Sequence, residues 1–331
     1  MSLREDINFC LWCDFIERDF LEKGFLELIK SKTIHGATSN PAIFESAISS
    51  SPAYKQQINI LQENDKKKIY EELAFTDIKR AADILKPLHD KNSADGFISI
   101  ELDPEICDDV EASIMEGKRI YSSLSAQNVM IKVPATNAGY EVMKELSASG
   151  ISVNATLIFS PLQAKLCAQA LDEGMHLSKN KDIQAVVSVF VSRFDGFCDN
   201  DFLEKNLPKS KLGIINASKC YHEVNKYKNP NIRTLFASTG IKDMSLEKSY
   251  YIDKLIFPNS VNTAPLQAIE AWQDNGSKEV AKVPSEKQCD DFFELMRKND
   301  FDLEAIYKKL LDDGLNGFKT SFSKLLAKLN R

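Results

Sequence analysis

The sequence predicts an α/β chain folded as a (β/α)8, or TIM, barrel with additional helices, and three observations predict it. Eight short apolar runs alternate with longer amphipathic stretches, which is the rhythm of strand and crossover helix. No Pro/Gly/Ser-rich linker or low-complexity tract interrupts the 331 residues, so one domain over 1–331 can hold eight units and a surplus of helix. The strands also carry polar residues at alternate positions, and a barrel of this kind collects functional groups at the C-terminal ends of its strands.

The first run, NFCLWCD (8–14), precedes the amphipathic stretch FIERDFLEKGFLELIKS. GATS (36–39) is the second strand; a helical surplus over 41–68 and the helix IYEELAFTDIKRAADILKPLHD follow it. FISIEL (97–102) leads into DDVEASIMEGKRIYSSL, NVMIKVP (128–134) into GYEVMKELSAS, and SVNATLIF (152–159) into PLQAKLCAQALDEG. AVVSVFVS (185–192) is followed by the helix NASKCYHEVNKYK, and RTLFAS (233–238) and YIDKLIF (251–257) complete the eight. Each helical stretch repeats apolar residues at helix spacing with charges between them. The tail from about 276 to 331, which includes DLEAIYKKLLDDGLNGFKTSFSKLLAKL, reads as extra C-terminal helices.

With 42 basic against 48 acidic residues the net charge is −6, which points away from nucleic acid as a partner. The N-terminus, MSLREDINFCLWCDF, mixes charges and lacks a long apolar stretch, so no membrane association or export is expected and the cytoplasm is the default compartment. Seven cysteines, an odd number, are expected as reduced thiols. Cys10 and Cys13 have C-x-x-C spacing, but residues three apart in a strand point to opposite faces, and no second Cys or His pair lies nearby in sequence to complete a zinc site. No metal is expected.

Strand alternation sorts the side chains. Phe97, Ser99 and Glu101 share one face of FISIEL while Ile98, Ile100 and Leu102 share the other, which suits the helix layer. The same rule sets Lys132 opposite Ile131 and Val133. It sets Asn154 and Thr156 opposite Val153, Ala155 and Leu157, and Ser188 and Phe190 opposite Val187, Val189 and Val191. Ser238 falls opposite Leu235 and Ala237, Asp14 ends the first strand, and Asn40 follows the second. Polar groups from six or more strands thus collect on one side of one ring. Lys132 is the sharpest of them, because I-K-V-P sets an amine inside an apolar strand where desolvation favours its neutral, nucleophilic form. Such an amine can attack a ketone to give a Schiff base, or it can simply pair with a carboxylate such as Glu101 or Asp14.

GATSNPAIF (36–44) and VMIKVPATNAGYEVMKEL (129–146) resemble the two signatures of the transaldolases. LWCD at 11–14, SIELDP at 99–104, NATLIFSPLQA at 154–164, SVFVSR at 188–193, ASTGIKD at 237–243 and NTAP at 262–265 follow the family's order. ASTGIKD is similar to the bacterial branch that carries A-S-T-G-x-K.

The resemblance implies a role for each matched position. Lys132 would be the Schiff-base lysine. Glu101 would act through a water held partly by Thr156, and Asp14 would be the acid/base at the donor's C4 hydroxyl. Asn40 and Asn154 would bind the dihydroxyacetone moiety, and Phe190 would pack near the lysine. Ser188 and Arg193 would contact phosphate, with Ser238 and Lys242 beside them. Lys242 stands where another branch has arginine, and a lysine holds phosphate as a point charge rather than bidentately. Ser192 replaces the glycine of F-V-G-R. The implied partners are small sugar phosphates acting on a monomer or homodimer, with no cofactor. Two other readings are a class I aldolase of the fructose 6-phosphate type and a catalytically silent barrel serving as a binding module.

Overall fold

A computed structural model describes residues 2–329; Met1, Asn330 and Arg331, the ends of the predicted domain, lie outside the described residues. Eight parallel strands close into a barrel in sequence order: β1 (Cys10–Cys13), β2 (Gly36–Thr38), β3 (Phe97–Glu101), β4 (Val129–Pro134), β5 (Val153–Ile158), β6 (Ala185–Phe190), β7 (Ile232–Ala237) and β8 (Ser260–Ala264). The predicted barrel is therefore the observed one. No helix among the described residues is long and apolar enough to cross a membrane.

Helices sit where their caps set them. Asn40 accepts the Ile43 N–H at the start of Pro41–Ser50, and Ser160 with Gln163 forms a capping box at the start of Pro161–Leu177. Ile98, Ile131, Val153, Val187 and Phe236 pack outward into the helix layer. Trp12, Phe97, Met130, Val186 and Leu235 fill the inside. Cys10 and Cys13 divide between the two layers as the strand period requires. Gly36 has no side chain because the Trp12 ring occupies its place; a Cβ there would lie 2.7 Å from that ring. At the N-terminal end of the barrel, Asp95 accepts from Arg4 at 2.7 Å and from the Cys10 thiol at 3.3 Å, while the buried Arg233 donates to Cys10 and to the Ala94 carbonyl.

Several expectations need correction. The last strand is SVNTA, not YIDKLIF: Tyr250–Asp253 is a helical turn followed by a buried loop. The apolar run drew the assignment, whereas the true strand offers only Val261 as a large apolar residue. FIERDFLEKGFLELIKS breaks into Arg18–Leu21 and Gly24–Lys30. Helices Ser192–Glu204 and Leu266–Asn275 were not anticipated. In the tail, helix starts only at Glu286, giving Glu286–Lys298 and Leu303–Lys328.

Three side-chain directions also differ. Leu157 faces inward because a register shift between Ala155 and Ile158 coincides with a left-handed backbone at Leu157, φ 56°. Parity reverses there, so Thr156 and Leu157 both serve the interior. Leu235 and Ala237 point inward as strand residues. Ser238 still reaches the pocket because it leaves β7 in the left-handed region, φ 53°.

Candidate active site

A cavity of about 220 Å³ opens at the C-terminal ends of the strands. Register sets a polar row at its base: Glu101 pairs with Lys132, and Lys132 with Asn154, so three polar side chains from β3, β4 and β5 stand side by side, the last two of them on the cavity. Lys132 is 5% exposed and donates to the Ser39 carbonyl at 3.0 Å and to Glu101 Oε2 at 3.3 Å. Burial pushes the Glu101 carboxyl up to about 7, against the pull of the Lys132 charge and hydrogen bond and with help from the Asp14 charge. Glu101 lies behind the lysine rather than on the cavity wall, and its Oε1 has no partner among the described residues. Thr156 Oγ1 is likewise buried and unpartnered, and it does line the cavity, so both oxygens have unused hydrogen-bonding capacity.

Asp14, at the end of β1, lines the cavity and accepts from Thr38 Oγ1 at 2.6 Å. Thr38 has one proton to give, so Thr263 Oγ1, 2.7 Å away, donates to Thr38. Burial raises the Asp14 pKa, while the Lys132 charge and the Thr38 bond oppose the rise. Asn154 is fixed on both sides: Ser188 Oγ donates to its Oδ1 at 2.6 Å, and its Nδ2 donates to Ser99 Oγ at 3.1 Å. Asn40 spends its carbonyl on the Ile43 N–H at 3.0 Å, which leaves its amide nitrogen for the cavity.

Phe190, Arg193 and Ser238 line the same cavity. Phe190 rests against Phe159 with ring centroids 5.3 Å apart, but the ring found over the lysine amine is Phe318, 5.8 Å away. Ser238 holds the start of the helix Ser192–Glu204: its carbonyl accepts the Ser192 N–H at 3.0 Å, and the two hydroxyls lie 3.1 Å apart. The serine in place of glycine at 192 thus makes a bond of its own. Lys242 is not on the cavity wall; it lies across Gly196, where a Cβ would meet its chain at 3.2 Å. Partial burial and the Arg193 charge lower its pKa. Neither Arg193 nor Lys242 forms an ion pair among the described residues, so one unneutralised cation stands on the helix that opens at the cavity and a second, from the loop after β7, lies against that helix.

Sequence reasoning missed one wall. Gly314, Gly317, Phe318 and Ser321, on Leu303–Lys328, all line the cavity. The signal was present: two glycines three apart inside a helix cost stability and call for a reason. At Gly314 the reason is close approach, since a Cβ would lie 2.9 Å from Leu157 Cδ2; at Gly317 nothing stands within 4 Å. Thr263 was missed with the strand that bears it.

Fold and cavity together define a parallel-barrel protein equipped for amine–carbonyl chemistry. The family model described as transaldolase/fructose-6-phosphate aldolase matches residues 11–329. A transaldolase of Campylobacter jejuni (strain RM1221) is 47% identical over 337 aligned positions, covering 97% of this chain and 99% of the relative. A transaldolase of Helicobacter pylori (strain Shi470) is 47% identical over 319 positions, covering 96% and 98%. The chain belongs to the transaldolase/fructose-6-phosphate aldolase family.

Proposed function

We propose that the chain is a transaldolase that moves a dihydroxyacetone unit from a ketose phosphate, sedoheptulose 7-phosphate or fructose 6-phosphate, to an aldose phosphate, glyceraldehyde 3-phosphate or erythrose 4-phosphate, in the non-oxidative pentose phosphate pathway. The observation that carries this reading is a buried amine, Lys132, with a carboxylate of near-neutral pKa 3.3 Å from it and a second carboxylate, Asp14, on the cavity wall.

Lys132 adds to the ketose carbonyl. The carbinolamine oxygen leaves as water with a proton from Glu101, and the nitrogen lone pair closes the iminium. Thr156 orients that water. Asp14 takes the C4 hydroxyl proton, the C3–C4 bond breaks, and its electrons move onto the imine nitrogen as an enamine while the aldose phosphate departs. Asn154 and Asn40 hold the three-carbon fragment, with Ser188 setting the Asn154 amide and Phe190 closing one wall. An acceptor aldehyde reverses the steps, so the kinetics are ping-pong. Arg193 and Ser238 take the phosphate, with Lys242 adding positive charge from beyond the cavity wall and Ser188, expected as a phosphate contact, turned to Asn154 instead. No cofactor enters this scheme. The chain's seven cysteines are all free and buried, which supports work in the reducing cytoplasm; the chain acts there as a monomer or homodimer.

Intact-mass measurement with peptide mapping, after mixing with fructose 6-phosphate and reducing with borohydride, tests the reading. A substrate-dependent increment on Lys132 is expected, and its absence under conditions that label a transaldolase sinks the Schiff base. Erythrose 4-phosphate then separates transfer from the aldolase reading, since an aldolase releases the three-carbon fragment whether or not an acceptor is present.

A further inference from the structure

Asp195 is a buried carboxylate, 2% exposed, that the proposed chemistry leaves unused. It lies two residues beyond Arg193 in the first turn of Ser192–Glu204, and side chains two apart leave a helix on opposite sides. Arg193 therefore reaches the cavity while Asp195 is locked into the wall. Its Oδ1 accepts the Gly213 N–H at 3.0 Å and its Oδ2 accepts the Tyr251 hydroxyl at 2.7 Å. Gly213 sits so close that a Cβ would lie 2.4 Å from the Val191 carbonyl, at the turn where the helix begins. Tyr251 is fixed in turn, because Asn262 of β8 donates to its carbonyl at 3.3 Å, and the next residue, Thr263, joins the Thr38–Asp14 chain. Val191 supplies no side-chain cap to the helix start. An exposed arginine with no ion-pair partner carries no fixed geometry of its own, so its reach is set by the backbone it stands on.

We propose that Asp195 and Tyr251 are positioning residues that lock the first turn of Ser192–Glu204 so that Arg193 meets the substrate phosphate. The proposal rests on the phosphate role given to Arg193 above. Asp195 also places a negative charge near that site, and loss of this charge would favour anions. The bond and the charge thus act in opposite directions, and only the bond is claimed here.

Tyr251→Phe removes the bond and keeps the charge, which makes it the principal test. The readout is the half-saturating concentration for borohydride trapping on the full chain, with fructose 6-phosphate and with unphosphorylated dihydroxyacetone. For fructose 6-phosphate we expect a rise of about fivefold, with dihydroxyacetone unchanged within about twofold. Asp195→Asn, whose single carbonyl can satisfy only one of the two donors, also removes the opposing charge, so its rise is expected to be smaller than that of Tyr251→Phe. Equal shifts for both ligands mean a merely structural role and overturn the proposal, as does no shift in Tyr251→Phe. Wild-type protein that traps both ligands at equal concentrations overturns the phosphate role itself. Wild-type protein that traps neither overturns the Schiff base, and either result takes this proposal with it.

Discussion

The proposed reaction gives Lys132 and Asp14 separate steps at the residue scale, and substitution should separate them. Lys132→Ala is expected to lose the borohydride-trapped adduct entirely, whereas Asp14→Ala should keep the adduct and slow cleavage by roughly 10²–10⁴-fold, the range for a lost general acid/base; single-turnover aldose release with parallel mass spectra reads both. Glu101 gives a prediction of a different kind. Its folded pKa of about 7 stands above its ordinary value of 4.5, so the native state holds the proton more tightly than the unfolded chain. The associated stability is present below pH 4.5 and is lost as pH rises toward 7. Melting of Glu101→Gln beside the parent from pH 4 to 8 should show the variant gaining relative Tm up to about pH 7 and nothing beyond it; a flat difference would refute the shifted carboxyl. Most of these residues were legible because period-two alternation in β3, β4 and β5 needs no tertiary information. What alternation could not supply was the identity of the ring over the amine: Phe318 comes from a helix some 186 positions away in the numbering (318 − 132), and no local pattern encodes that encounter.

Among the elements, Leu303–Lys328 contributes most that the strands lack. Its two glycines should respond oppositely to alanine. Gly317→Ala adds a methyl to open space and removes the backbone entropy of glycine, so it should stabilise by about 1 kcal/mol. Gly314→Ala gains the same propensity but drives its methyl to 2.9 Å from Leu157 Cδ2, in a well-packed site where overfilling costs about 1–3 kcal/mol. Thermal melts should therefore rank Gly317→Ala above the parent and Gly314→Ala below Gly317→Ala; the reverse order would sink this account. The elements also show where sequence reading fails physically. YIDKLIF has the strand-like content but helical placement, with Tyr251, Ile252, Leu255 and Ile256 buried together. The real β8 is disguised by Ser260, Asn262 and Thr263: Ser260 and Asn262 face the outer layer and donate to the Phe257 and Tyr251 carbonyls, while Thr263 faces the interior and donates to Thr38. At β5 a single left-handed residue reverses the parity, and no composition signal marks a leucine for that conformation.

Across the whole molecule, the two ends of the barrel do different work. The C-terminal end holds the amine and its acids; the opposite end is closed by Arg4, Asp95, Cys10 and Arg233. Arg4→Ala would strand the Asp95 carboxylate, 6% exposed, with little but a thiol for a partner. Loss of one member of such a pair typically costs about 3–5 kcal/mol when buried, and less is expected here because Arg4 is partly exposed. Denaturant unfolding should show a clear loss while kcat/KM stays within about twofold; a large kinetic change would mean the ends are coupled.

The register Glu101–Lys132–Asn154 has one more consequence. If β4 slipped by a single residue against β3 and β5, Lys132 would turn into the apolar helix layer and Ile131 and Val133 would face the carboxylates. The misfolded barrel would be penalised twice, by a stranded charge outside and by greasy side chains beside acids within. The polar row thus proofreads strand alignment: the pairing that keeps charge and apolar surface in their own layers is the one that brings Glu101, Lys132 and Asn154 side by side.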